Sequence, residues 1–304
     1  MKGHYINKLV GSVAVGVCLL AATGQQAQAG EMYQGWNYGI DSFSDGSGGQ
    51  KYEIKGFAVK ETTDSVYVAL TAGTPLNGIA SNNADDGNVG WGDMFFNFSG
   101  KDFATAEAEG SLLGVRFAPT NESGVNQVGL YNNITTKSVG LANNGYDNLK
   151  RYYNQGFGKA NTMGTDIATK NEAYSYLHGN AVAANPKQNN TPLYNIIDSG
   201  DFLGGIDLLN GAQLAAKGLN FGHFNANSPH TFGFQLDKSL LSGVLPGGIN
   251  SFMAHVLLEC ANDGVALAGN IDIPESQDVP EPVGLVSLGF AGLAFLKSRK
   301  GRQA

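Results

Sequence analysis

The sequence predicts an all-β body, a jelly-roll-like β-sandwich with long Gly/Asn-rich loops and a few short helices, followed by a single C-terminal apolar helix. Three observations predict it. Short apolar runs alternate with polar or small residues at the period of two that a half-buried strand requires. The chain has 43 Gly and 29 Asn among 304 residues, and both types tolerate positive φ, which favours many turns over long helices. A hydrophobic content of 42% is enough for a sizeable core, which argues against whole-chain disorder.

Taken in order, Tyr52–Lys60 opens the strand candidates, and Val66, Val68 and Leu70 then alternate with Tyr67 and Ala69. Met94–Phe98 and Leu112–Phe117 follow. The region from about 120 to 200 is rich in Asn, Tyr and Gly with weak periodicity, and reads as an insertion or a set of long surface loops. Within it, Asn171 to His178 has a capping residue at its start and Gly179 after its end, a short helix. Leu208 to Lys217, stopped by Gly218, is the best longer helix candidate, and Asp237 caps a turn of helix through Leu241. Phe232, Phe234 and Leu236 form another alternating run, as do Phe252 to Glu259 and Val265 to Ile273.

The two ends read differently. Lys2 and Lys8 precede an uncharged run from Leu9 to Ala22, and Ala27-Gln28-Ala29 stands before Gly30. A positive start, an apolar middle and small residues at −3 and −1 predict an export signal over 1–29, cleaved between Ala29 and Gly30. Cys18 lies inside it, without the pattern that precedes a lipoprotein cysteine. At the other end, residues 273–282 read as an extended linker closing on Pro280-Glu281-Pro282. Residues 283–296 carry no charge, and the tail 297–304 holds Lys297, Arg299, Lys300 and Arg302. A helix of that length is about 21 Å long, short of the roughly 30 Å hydrocarbon core. It suits a temporary inner-membrane anchor with the basic end held in the cytoplasm and residues 30–272 outside.

The C-terminal stretch, roughly 279–302, resembles the PEP-CTERM sorting signal of bacterial exosortase substrates. The motif, the short Gly/Leu-rich span with Gly284, Leu285, Leu288, Gly289, Gly292 and Leu293, and the basic tail occur in that order. The stretches Gly90-Trp91-Gly92-Asp93-Met94-Phe95-Phe96-Asn97-Phe98 and Glu259-Cys260-Ala261-Asn262-Asp263-Gly264 resemble cyanobacterial-type exosortase-dependent surface proteins. The resemblance implies an exosortase as partner, processing near the motif, and delivery to the cell surface or the extracellular polysaccharide matrix. It carries over no catalytic residues, so a structural or adhesive role in the envelope or a biofilm is expected.

Composition narrows the chemistry. The whole chain has 19 basic and 26 acidic residues. Loss of 1–29 removes two Lys, and loss of 281–304 removes four basic residues and Glu281, leaving 13 basic against 25 acidic, net −12. Such a body argues against nucleic-acid binding, which needs a clustered basic face. Only Cys260 survives export, so no internal disulfide forms, and a buried structural thiol is expected. Ser47 lacks the Gly two places before it that a nucleophile elbow needs. His178, His223, His230 and His255 have no zinc-ligand spacing. No enzyme is therefore expected. The alternatives to a purely structural role are a carbohydrate- or calcium-binding module and, behind it, a secreted hydrolase, whose paired carboxylates need a separation in space that sequence does not give. Asp85, Asp86, Asn88 and Asp93 crowd one Gly-rich loop, and Asp41 and Asp45 another. Calcium suits hard loop oxygens, although Asx turns explain the same residues without metal. Trp36, Trp91, Tyr146, Tyr152, Tyr153, Tyr174 and Tyr176 would stack on sugar rings if exposed, and pack a core if not.

Overall fold

A computed structural model describes residues 30–184 and 190–274. Ala27, Ala29 and the rest of the expected export signal lie outside the described residues. So do Pro280, Glu281 and Pro282, the span 283–296 and the basic tail.

Strand β1 (Glu31–Tyr33) pairs with β2 (Trp36–Ile40), which pairs with β3 (Ile54–Glu61) and then β4 (Ser65–Ala72). After the small ribbon of β5 (Ile79–Ala80) and β6 (Asn88–Val89) come β7 (Met94–Asn97), β8 (Leu112–Arg116), β9 (Gly129–Lys137) and β10 (Ile196–Gly204). Then follow β11 (Asp207–Asn210), β12 (His230–Asp237), β13 (Gly248–Leu257) and β14 (Gly264–Ile273). One six-stranded sheet runs β1-β2-β3-β4-β12-β11 and the other β10-β9-β8-β7-β13-β14, every pair antiparallel.

The strand order corrects one expectation. Two meanders, β1 to β4 and β7 to β10, are each extended by a returning hairpin, β11–β12 beside β4 and β13–β14 beside β7. A jelly roll has Greek-key order instead. Tight turns such as Thr62–Asp64 make sequence neighbours pair, and period-two alternation specifies a strand without specifying its partner.

Both sheets feed one core. Val66, Val68 and Leu70 of β4 and Phe232 and Phe234 of β12 share a cluster with Met94 and Phe96 of β7, Val115 of β8 and Val256 of β13. Each sheet is covered on its other face as well. Trp36, Tyr38, Tyr67 and Ala69 pack with Leu214, Phe221 and Ala226. Phe95, Leu112, Ile134 and Ile197 pack with side chains of α1 (Phe103–Ala108), α2 (Leu149–Gln155) and α3 (Lys170–His178). Coverage on both faces is why all eight residues of β4 are buried.

Two helix expectations also change. In the region 120–200 the helix expected at 171–178 is present as α3, whereas α2, α4 (Asn180–Ala183) and strand β9 stand where long loops are expected. Local caps make this possible: Asn148 accepts from Arg151 N at 3.0 Å, and Thr169 and Glu172 form a capping box. The expected helix Leu208–Lys217 divides. Leu208 and Leu209 are spent on pairing with Phe234 and Gly233 of β12, and Asn210 then caps the short α5 (Gly211–Ala215). The Asp237 cap is observed: its carboxylate accepts from Ser239 N at 2.8 Å to start α6 (Lys238–Ser242).

Candidate functional site

At the end of β2 the chain leaves the first sheet through a Gly/Ser-rich loop. Asp41 N still donates to Lys55 O at 3.2 Å, so Asp41 is held at the sheet margin. The loop then packs on the segment after α2. Gly46 N donates to Asn161 Oδ1 at 2.7 Å, and a Cβ at Gly46 would lie 1.8 Å from Gly156 O, so only glycine fits. Asp263 arrives from the other sheet, in the turn between β13 and β14. Its Oδ2 accepts from Ile54 N at 2.6 Å and its Oδ1 from Gly264 N at 2.9 Å.

These constraints bring Asp41, Asp45 and Asp263 together, with one carboxylate oxygen from each lying within 4.8 Å of the others. Asp41 is 4% exposed and Asp263 fully buried. Asp41 Oδ1 accepts from Ser42 N at 2.8 Å and Thr162 Oγ1 at 3.3 Å, and Asp45 Oδ2 accepts from Thr162 N at 3.0 Å. The Asp41 and Asp263 carboxyls are also in hydrogen-bond contact with each other, and no other group of the chain donates to the buried Asp41 Oδ2 or Asp45 Oδ1. Glu53, also buried, accepts from the Ser47 hydroxyl through Oε2 and leaves Oε1 unpartnered. Among the described residues none of these four carboxylates forms an ion pair.

Burial, followed by the mutual repulsion of the carboxylates, pushes Asp41 and Asp263 well above the usual carboxylate range. Burial raises Asp45 to about 6, against the opposing pull of the Thr162 amide. Burial likewise raises Glu53, against its Ser47 hydrogen bond. The set holds oxygen donors only, with neither His nor Cys, the chemistry of a hard cation.

The other expected ion set does not converge. Asp85 and Asp86 are exposed, and Asp86 Oδ1 accepts from Asn88 N at 2.8 Å, an Asx turn. Asp93 is fully buried and takes hydrogen bonds from Asn121, Ser123 and Ile197. The aromatic set is interior. Trp36 and Trp91 are fully buried with their indole N–H groups on Lys217 O and Pro75 O, both at 3.1 Å, and Tyr152, Tyr153 and Tyr174 are buried too. Tyr146 and Tyr176 are half-buried, and Tyr176 OH lies 2.8 Å from His255 Nδ1. Cys260 is buried and its thiol is pushed up to about 12, chiefly by burial, which removes it from thiolate chemistry. Sequence reasoning singled out Asp41 and Asp45. Glu53 and Thr162 carry no local signal of their own, and Asp263 stands far from Asp41 and Asp45 in sequence.

Glu259 accepts from Gly90 N and Glu122 N at 2.6 Å each, yet burial pushes it up to about 8. A raised carboxyl pKa means that the folded state binds the proton more tightly. Its stabilisation is therefore complete below the ordinary Glu range and is lost as pH rises through about 8. His178 and His255, which burial lowers to about 4 and about 3, act in the opposite sense but only below about 6.5. In chelator, the thermal midpoint is therefore expected to fall between pH 6.5 and 8, and Glu259→Gln to reduce the slope. A midpoint rising over that interval contradicts this assignment.

No protein-family model, curated protein or solved structure matches the chain.

Proposed function

We propose that the chain is an exported surface or extracellular-matrix protein with a structural or adhesive β body, delivered and processed by an exosortase. The observation that carries this reading is the order of Pro-Glu-Pro, short apolar span and basic cluster at 279–302, opposite an export signal over 1–29. The body is read as a sandwich of its two six-stranded sheets. Its position is consistent with the proposal: β1 starts at Glu31, just after the expected cleavage between Ala29 and Gly30, and β14 ends at Ile273, the first residue of the expected linker. The three Pro of residues 273–282 support an extended tether for the motif, as a processing enzyme requires. The interior placement of the Trp rings favours the structural reading over sugar stacking.

Replacing Pro280, Glu281 and Pro282 together by alanine tests the proposal. The unaltered protein is expected at the surface with both ends shortened by mass spectrometry, and the triple variant is expected to keep residues 283–304 and remain in the membrane fraction. Unchanged trafficking and unchanged mature mass would overturn it.

A further inference from the structure

We propose that Asp41, Asp45 and Asp263 form a calcium site that ties the loop after β2 to the turn between β13 and β14. The inference stands independently of how the protein is exported.

The strongest argument is a contrast within the molecule. Asp93 and Glu259 are fully buried carboxylates, and both oxygens of each accept hydrogen bonds. Among the described residues, the buried carboxylate oxygens left without a donor are Asp41 Oδ2, Asp45 Oδ1 and Glu53 Oε1. A fold that satisfies its other buried carboxylates leaves lone pairs open where acids cluster. Without an ion the crowded carboxyls hold protons, and a cation that displaces those protons supplies the open oxygens with a partner.

The geometry selects the class of ion. Oxygen atoms within 4.8 Å of one another fit around a centre with Ca–O bonds of about 2.4 Å. The donors come from an irregular loop and a hairpin turn, with Thr162 Oγ1 lying 3.3 Å from Asp41 Oδ1, an arrangement suited to the flexible coordination of calcium. Magnesium prefers a tighter octahedron that keeps several waters, which a largely buried cluster accommodates poorly. The ion would fasten the margin of the first sheet to the hairpin of the second. Asp263 already holds Ile54 N, so β3 is drawn into the same fastening.

The test uses the full-length chain in detergent, stripped with chelator and dialysed, then titrated with calcium chloride alone by calorimetry and by thermal melting. One calcium per chain is expected, with a dissociation constant on the order of 0.1–1 mM. Saturation is expected to raise the thermal midpoint by at least about 2 °C. Asp45→Asn, at the half-exposed member of the set, is expected to weaken binding at least about tenfold. The Asp85→Asn/Asp86→Asn double variant is expected to bind like the unaltered chain. Absence of bound calcium, an undiminished response in Asp45→Asn, or an equal shift with magnesium at matched ionic strength would each overturn the proposal. The last would mark general screening of an acidic body. If Asp45→Asn does not fold, the stoichiometry on the unaltered chain decides alone, with one ion per chain supporting the site and none overturning it.

Discussion

Asp93→Ala is expected to lower the unfolding free energy by about 3 kcal/mol or more. The carboxylate of Asp93 accepts from Asn121 Nδ2, Ser123 Oγ and Ile197 N, each at 2.7 Å. Alanine leaves all three donors without this acceptor, and the Asn121 and Ile197 bonds are buried, so the cost is desolvation without compensation. The effect reaches further through Asn121, whose Oδ1 takes the Nε–H of buried Arg116 at 2.9 Å. Arg116 in turn donates to Val125 O at 2.7 Å and Pro119 O at 3.1 Å, which shapes the chain leading to β9. The Asp93 charge is one that Arg116 feels, and its removal leaves a buried cation less well opposed. The loss is read as a lower urea midpoint at unchanged slope. Because Asp93 is not among the converging carboxylates, the loss is expected to be equal in calcium and in chelator. Asp93→Asn, which keeps one acceptor, is expected to cost less. A loss confined to calcium-containing buffer would return Asp93 to an ion site.

Legibility in the sequence followed the balance of local and distant forces. Strands β3, β4, β7, β8, β12, β13 and β14 carry their alternation openly, since each places one face in the shared core. Strands β9 and β10 do not. Their Asn132, Asn133, Ser199, Gly200 and Asp201 read as turn residues, Asn133 has φ 48°, and the pairing shifts register repeatedly along β10. A bulged pair at the edge of a sheet tolerates polar residues that a central strand would not. For α3 the sequence offers Asn171 as the cap, whereas the helix starts at Lys170 because Thr169 and Glu172 bond reciprocally. The acidic cluster was half legible. Asp41 and Asp45 are near in sequence, whereas Asp263 joins them only through hairpin closure in the opposite sheet, which no local pattern encodes. Asp93 shows the converse problem. Surrounded by Gly and other acids, it looks like a loop ligand until Asn121 and Ser123 are placed on it.

Trp91→Ala is expected to cost about 3–5 kcal/mol, among the largest single losses available in this core. Trp91 is fully buried beside the bridge it forms with Leu258, where the chain enters the second sheet. Its ring lies 5.4 Å from Phe232 in an edge-to-face arrangement and 5.9 Å from Phe117, so it joins side chains of both sheets. Truncation opens a cavity that these rings cannot readily fill, and leaves Pro75 O without the indole N–H that reaches it at 3.1 Å. Trp91→Phe separates the two contributions. It retains most of the apolar volume and loses the hydrogen bond, so a smaller cost is expected. The two Trp residues of the chain, Trp36 and Trp91, are both fully buried, and the native emission is therefore expected to be blue-shifted and poorly quenched by acrylamide. Loss of Trp91 should leave a single buried emitter if the fold persists. A ring exposed for sugar stacking would behave otherwise: its removal would spare stability, while the unaltered protein would quench readily. Stability of Trp91→Ala within about 0.5 kcal/mol of the unaltered chain would therefore take Trp91 out of the core and restore it as a surface contact.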